Sequence, residues 1–126
     1  MTLNNKKILI IIGGGIAAYK SLDLIRLLKK NNAEIKTILT KSGREFVTPL
    51  SLTTLTGTRT FENMFDKDSE AEIDHIALSR WADIVIVMPT TANFMSKLSI
   101  GKAEDLATTV LLASNKDILL DPNILL

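Results

Sequence analysis

The 126-residue sequence contains no cysteine. That excludes a disulfide framework, a thiolate metal site and a cysteine nucleophile. Imidazole is nearly as scarce, with His75 the single histidine. Charge of one sign is not in excess: 15 basic residues face 14 acidic ones, a formal net charge of +1. Neither nucleic acid nor a membrane surface is therefore an expected partner. Long hydrophobic runs are also missing near the start. The run Ile8 to Ile12 has five apolar residues, too few for the apolar region of a signal peptide or for a membrane span. The expected location is the cytoplasm. Repeats, low-complexity tracts and linkers are absent, so residues 1–126 are expected to form one domain with a real core.

What is present alternates between strand and helix signals. Hydrophobic residues make up 46 % of the chain, which suits a sheet buried on both faces. Lys7 to Ile12 reads as a central parallel strand, β-branched and ended by glycines. Gly13-Gly14-Gly15 then leads into an expected helix from about Ile16 to Asn31, with Ala18, Leu22, Ile25 and Leu28 on one face. Ala33 to Thr40 is the second strand, with Ile35, Thr37 and Leu39 alternating against Glu34, Lys36 and Ile38. A helical stretch is expected from about Gly43 to Leu55, interrupted by Pro49 and stopped at Thr56-Gly57. A short strand near Arg59 to Phe61, a short helix over Ile76 to Arg80 and a buried strand over Ile84 to Met88 come next. Helices over Ala92 to Ile100 and Glu104 to Ala113 precede a last strand, Asp117 to Leu120. This order implies a three-layer α/β/α domain around a parallel, Rossmann-like (flavodoxin-like) sheet with right-handed crossovers.

In such a sheet, ligands bind just beyond the carboxyl ends of the strands. Three loops there carry suitable chemistry. Gly13-Gly14-Gly15-Ile16-Ala17-Ala18 fits G-x-G-x-x-A between strand and helix, where glycines permit close backbone approach and the helix start offers N–H groups. A tight turn serving only helix–strand packing reads the same way. A dinucleotide site would want an acid at the end of the second strand; Thr40-Lys41-Ser42 stands there instead. That disfavours NAD and favours a phosphate or ribityl chain meeting hydroxyls and a cation. Thr90-Thr91-Ala92-Asn93-Phe94 follows the strand at Ile84 to Met88. Its hydroxyls and N–H groups either cap a helix or hold a phosphate or the polar edge of a flavin. His75 is either a partly buried structural residue or a group for proton transfer or carboxylate recognition, as its ordinary pKa near ~6.5 allows. Trp81 reads as core or interface, and Lys97, Lys102 and Glu104 as solvated surface.

Several of these runs resemble a known family. Lys7 to Lys20, Leu39 to Val47, Ile73 to Leu78, Pro89 to Asn93 and Gly101 to Leu106 are similar, in the same order, to the phosphopantothenoylcysteine decarboxylase domains of the homo-oligomeric flavin-containing cysteine decarboxylases. The resemblance implies FMN as cofactor and trimers with the flavin at subunit interfaces. It implies decarboxylation of 4'-phosphopantothenoylcysteine in coenzyme A biosynthesis. In that family the cysteine moiety is oxidised to a thioaldehyde, CO2 is lost to give an enethiol, and reduction yields 4'-phosphopantetheine. By the same resemblance His75 is the active-site histidine, Asn93 belongs to the segment after the flavin-binding strand, and Gly14, Gly15, Ile16, Thr40, Thr91, Ala92 and Phe94 join it around FMN.

The resemblance weakens at the end of the chain. Family members continue after the last strand with Pro-Ala-Met-Asn and later a cysteine-bearing substrate clamp. Here Asp121 to Leu126 diverges, Asn123 is out of register, and the clamp is not in the sequence. The expectation is a shortened domain, impaired in the complete reaction, whose substrate would come from a separate synthetase chain. Alternatives are a non-catalytic FMN-binding subunit or fragment, a peptidyl-cysteine decarboxylase, or a flavin prenyltransferase. The prenyltransferases carry a Ser-Met-Lys-Thr-like stretch where Thr91 to Phe94 stands.

Overall fold

Strand β1, Lys7–Ile12, is the centre of a five-stranded, wholly parallel sheet. In this computed structural model the described residues are 4–15, 18–62, 77–88 and, as backbone, 117–120. The sheet runs β3-β2-β1-β4-β5, with β2 at Glu34–Leu39, β3 at Thr60–Glu62, β4 at Ile84–Met88 and β5 at Asp117–Leu120. Side chains alternate across a strand, so β1 can sit at the centre only if both of its faces are apolar. They are: Ile8, Ile10 and Ile12 join one buried cluster, and Leu9 and Ile11 join the other. Fully burying each such side chain contributes about 2 kcal/mol.

The two faces are covered by different parts of the chain. Helix α1, Tyr19–Lys30, and helix α2, Pro49–Thr56, carry the successive crossovers from β1 to β2 and β2 to β3. Ala18, Ile25 and Leu52 pack on the face that also holds Ile35 and Leu39, with Leu22 and Leu28 against them. To reach β4, the chain must return past β1 to its other side. A crossover of the same hand then lies on the opposite face. There the helical residues 77–81 and the turn after them bring Leu78 and Ala82 against Leu9, Ile11, Ile38, Val85 and Val87. Ile38 is buried for this reason, although the alternation in β2 had placed it on the polar side with Glu34 and Lys36. The starts of β1 and β4 are pinned together: the Lys7 N–H donates to Asp83 Oδ2 at 2.9 Å and the Asp83 N–H to the Lys7 carbonyl at 2.7 Å.

Helix ends follow local chemistry. Helix α1 stops at Asn31, whose Nδ2 donates to the Leu27 carbonyl at 2.8 Å, and Asn32 takes the left-handed conformation at φ 67. Pro49 does not interrupt a helix, as the apolar pattern suggested; it begins one. Thr48 is extended, and its hydroxyl accepts the Ser51 N–H at 3.0 Å while Ser51 Oγ accepts the Thr48 N–H at 3.3 Å. Proline suits the first helical position because its missing N–H is not needed there. The upstream part of the expected helix is a single 3-10 turn, Gly43–Glu45. The expected helices over 92–100 and 104–113 lie outside the described residues.

One polar group is out of place in this core. Thr37 is fully buried in β2, in register with Ile10, and its Oγ1 has no hydrogen-bond partner among the described residues. A buried hydroxyl without a partner costs about 1 kcal/mol or more. Thr37→Val removes the hydroxyl at nearly constant shape, so it should stabilise the fold by about 1 kcal/mol and raise the thermal midpoint by about 4 °C. A thermal melt checks this; a lowered midpoint would show that the hydroxyl has a partner after all.

Candidate functional site

Strand register decides where loops gather. Ile12 pairs with Leu39 on one side and with Met88 on the other. The carboxyl ends of β2, β1 and β4 are therefore level, and their following loops leave from one edge. The ladder continues by one bond on each side: the Gly13 N–H donates to the Met88 carbonyl at 3.2 Å, and the Thr40 N–H to the Ile12 carbonyl at 3.1 Å. Strand order also reverses here, since β2 and β3 lie to one side of β1 and β4 and β5 to the other. Ligands of open α/β sheets bind in the crevice that such a reversal leaves beyond the carboxyl ends of the strands.

The glycine turn shapes one wall of that crevice. Gly15 has φ 140, a backbone conformation that side chains disfavour, and its carbonyl accepts the Ala18 N–H at 2.9 Å as α1 begins. Gly14 is glycine for a different reason: a Cβ there would overlap the Ser42 Cβ of the loop after β2. Among the described residues, the Gly14 and Gly15 N–H groups donate to no acceptor. The start of α1 lies beside this turn. Ala18 supplies no side-chain cap and the first turn holds no acid. The positive end of the helix dipole therefore meets no carboxylate from its own first turn, an arrangement that favours an anion by about 1 kcal/mol.

The loop after β2 forms the neighbouring wall. Thr40 is buried, Lys41 is exposed, and Ser42 lies against Gly14. Arg44 reaches Glu62 at the end of β3 at 3.4 Å, a half-exposed ion pair worth little by itself. No carboxylate of this loop stands where a dinucleotide's ribose would need one. Gly14, Gly15 and Thr40 thus come together at a single edge. Ile16, His75, Thr91, Ala92, Asn93 and Phe94 lie outside the described residues. The sequence reading missed Gly43, taking it as the first residue of a helix; it is buried between the two loops, where a Cβ would stand 2.6 Å from the Ile12 carbonyl oxygen.

A cavity of about 300 Å³ opens at the opposite, amino edge of the sheet, lined by Lys29, Glu34, Lys36, Thr56, Thr58 and Trp81 among others. Its hydroxyls and one of its lysines are already used by the fold. Thr56 Oγ1 donates to the Leu52 carbonyl at 2.9 Å, Thr58 Oγ1 to the Ile35 carbonyl at 2.8 Å, and Lys36 Nζ sits 4.6 Å from the centre of the half-buried Trp81 ring. The carboxyl edge is the better candidate. Among the described residues no group of histidines and acids could hold a metal, and no helix is long and apolar enough to cross a membrane.

Comparison with known proteins bears on the family and the fold. The chain is 46 % identical over 122 residues to the coenzyme A biosynthesis bifunctional protein CoaBC of Haemophilus influenzae, covering 97 % of this chain and 30 % of that protein. It spans about three tenths of the length of the curated relatives it matches. Among solved structures, MrsD from a Bacillus species is similar at TM-score 0.79 and 26 % identity, over 97 % of this chain and 70 % of that one. A phosphopantothenoylcysteine (PPC) decarboxylase mutant complexed with pantothenoylaminoethenethiol is similar at TM-score 0.72 and 26 % identity, over 91 % of this chain and 65 % of that one. The family model described as Flavoprotein matches residues 1–123, and the chain belongs to that family.

Proposed function

We propose that this chain is the FMN-binding core of a phosphopantothenoylcysteine decarboxylase that works in coenzyme A biosynthesis in the cytoplasm. The observation that carries the reading is the convergence, at the switch point of the sheet, of a glycine turn, an uncapped helix start and a hydroxyl-bearing loop. These fit a flavin mononucleotide. The open N–H groups of Gly14 and Gly15, beside the positive end of the α1 dipole, suit a phosphate or a ring carbonyl. Directly at the end of β2 stand Thr40, Lys41 and Ser42, with no acid of the kind that would mark a dinucleotide site. Similarity to CoaBC and to the PPC decarboxylase mutant supports the same substrate class.

In this reading Gly14, Gly15, Ile16 and Thr40 line the cofactor on the β1 and β2 side, and Thr91, Ala92, Asn93 and Phe94 on the β4 side. When bound, FMN supplies two-electron redox chemistry that side chains alone lack. His75 recognises the substrate carboxylate or carries a proton beside it. The proposed unit is residues 1–126, acting on 4'-phosphopantothenoylcysteine as a homo-oligomer, a trimer or a multiple of one. A synthetase would supply the substrate.

Purified protein should be yellow, with the absorbance bands of an oxidised flavin, and should release CO2 from 4'-phosphopantothenoylcysteine. His75→Asn should keep the flavin and lose CO2 release by about 100-fold or more, the scale expected for loss of a general acid or base. Protein without flavin absorbance contradicts the proposal, and flavin-loaded wild type without CO2 release assigns a binding role instead.

A second outcome concerns the glycine turn. Gly14→Ala forces the β1 loop away from Ser42 and should weaken flavin binding by about ten-fold or more, equivalent to about 1.4 kcal/mol. Gly57, the C-cap of α2 at φ 73 with nothing within 4 Å of an added Cβ, is the control. Gly57→Ala should cost about 1 kcal/mol of stability through backbone strain while leaving flavin affinity unchanged. Equal affinity in Gly14→Ala and wild type, measured by fluorescence titration, would count against this placement of the cofactor.

A further inference from the structure

The Ile12 carbonyl, the last of β1, receives two hydrogen bonds from a single residue. The Thr40 N–H donates at 3.1 Å and the Thr40 hydroxyl at 2.8 Å. The same hydroxyl oxygen accepts the Gly43 N–H at 3.1 Å. A threonine hydroxyl has one proton and two lone pairs. Its proton is spent on Ile12 and one lone pair on Gly43, so little remains for a ligand. Gly43 completes the junction because it has no side chain: a Cβ would stand 2.6 Å from the Ile12 oxygen and 3.2 Å from Thr40 Oγ1. The Arg44 N–H closes the turn onto the Thr40 carbonyl at 3.2 Å. Both Thr40 and Gly43 are buried.

We infer that Thr40 is a positioning residue, which acts through the Ile12 carbonyl and the Gly43 amide to lock the loop after β2 onto the glycine turn. The lock sets Ser42 against Gly14, and so fixes where the open N–H groups of the turn point. This rests on the flavin reading above but assigns Thr40 a different task from lining the cofactor. The chemistry makes the lock sensitive to one atom. Removing Oγ1 leaves the buried Gly43 N–H without an acceptor, while Ile12 keeps the Thr40 N–H. The strand ladder therefore survives and the loop comes loose.

The test uses Thr40→Val, Thr40→Ser and Gly43→Ala in the whole chain. Amide hydrogen exchange at Gly43 and Gly14 is followed without flavin, and FMN affinity by fluorescence quenching. Thr40→Val should speed exchange at Gly43 by about ten-fold or more and weaken FMN binding by about ten-fold. Thr40→Ser, which keeps the hydroxyl, should restore both to within about two-fold of wild type. Gly43→Ala opens the lock from the other side without touching the hydroxyl and should weaken FMN binding similarly; it also decides the matter if Thr40→Val does not fold. Thr40→Val or Gly43→Ala protein that binds FMN as tightly as wild type, whatever its melting point, overturns the inference, and so does failure of serine to rescue. If wild type binds no flavin, the functional reading fails on its own. The exchange at Gly43 still reports whether the lock exists: unchanged exchange in Thr40→Val refutes it.

Discussion

Everything in this fold depends on burying both faces of β1. A strand of Lys followed by five consecutive apolar residues has no polar face to show to water. It must therefore be flanked by strands and covered on both sides. That requirement sends α1 and α2 to one face and the helical residues 77–81 to the other. Placing covers on both faces forces the chain to reverse direction across β1. The crevice at the carboxyl edge is the geometric consequence of a hydrophobic constraint, present whether or not a ligand fills it.

In the proposed reading, a second, local constraint fits that edge for a ligand. Two loops from adjacent strands are brought so close that neither Gly14 nor Gly43 could carry a side chain without displacing its neighbour. One threonine hydroxyl spans the gap. By the inference drawn above, the result is a stiff rim of backbone N–H groups beside a helix start with no side-chain cap. Stiffness matters because a rim that had to be organised by the ligand would lose binding energy to ordering. The amino-edge cavity makes a useful contrast: it has volume and two lysines, yet its hydroxyls and its tryptophan are already engaged.

Much of the architecture was legible in the residues. Runs such as Ile84 to Met88 and Lys7 to Ile12 are strands in any reading, and the helix face of Ala18, Leu22, Ile25 and Leu28 is the face that packs. Pro49 was misread because proline within an apolar pattern looks like a break. Its meaning depends on Thr48 and Ser51, whose reciprocal bonds cap the helix. Gly43 was missed for a different reason. Its need for hydrogen in place of a side chain comes from Ile12, a residue distant in sequence, and no local pattern encodes that approach. Thr40 could be assigned to the right edge, but only the folded geometry shows where its proton goes. Membership of the Flavoprotein family extends the resemblance seen in the motifs to nearly the whole chain.

In the proposed function, cofactor and substrate meet at the carboxyl edge, across the point where strand order reverses. Titrating FMN into isotopically labelled protein while following backbone amide resonances tests it most directly. Shifts should concentrate at Gly13, Gly14, Gly15 and residues 40–43, with Lys36, Thr58 and Trp81 unmoved. Shifts centred on Lys36, Thr58 and Trp81 instead would place the cofactor at the amino edge and contradict the account.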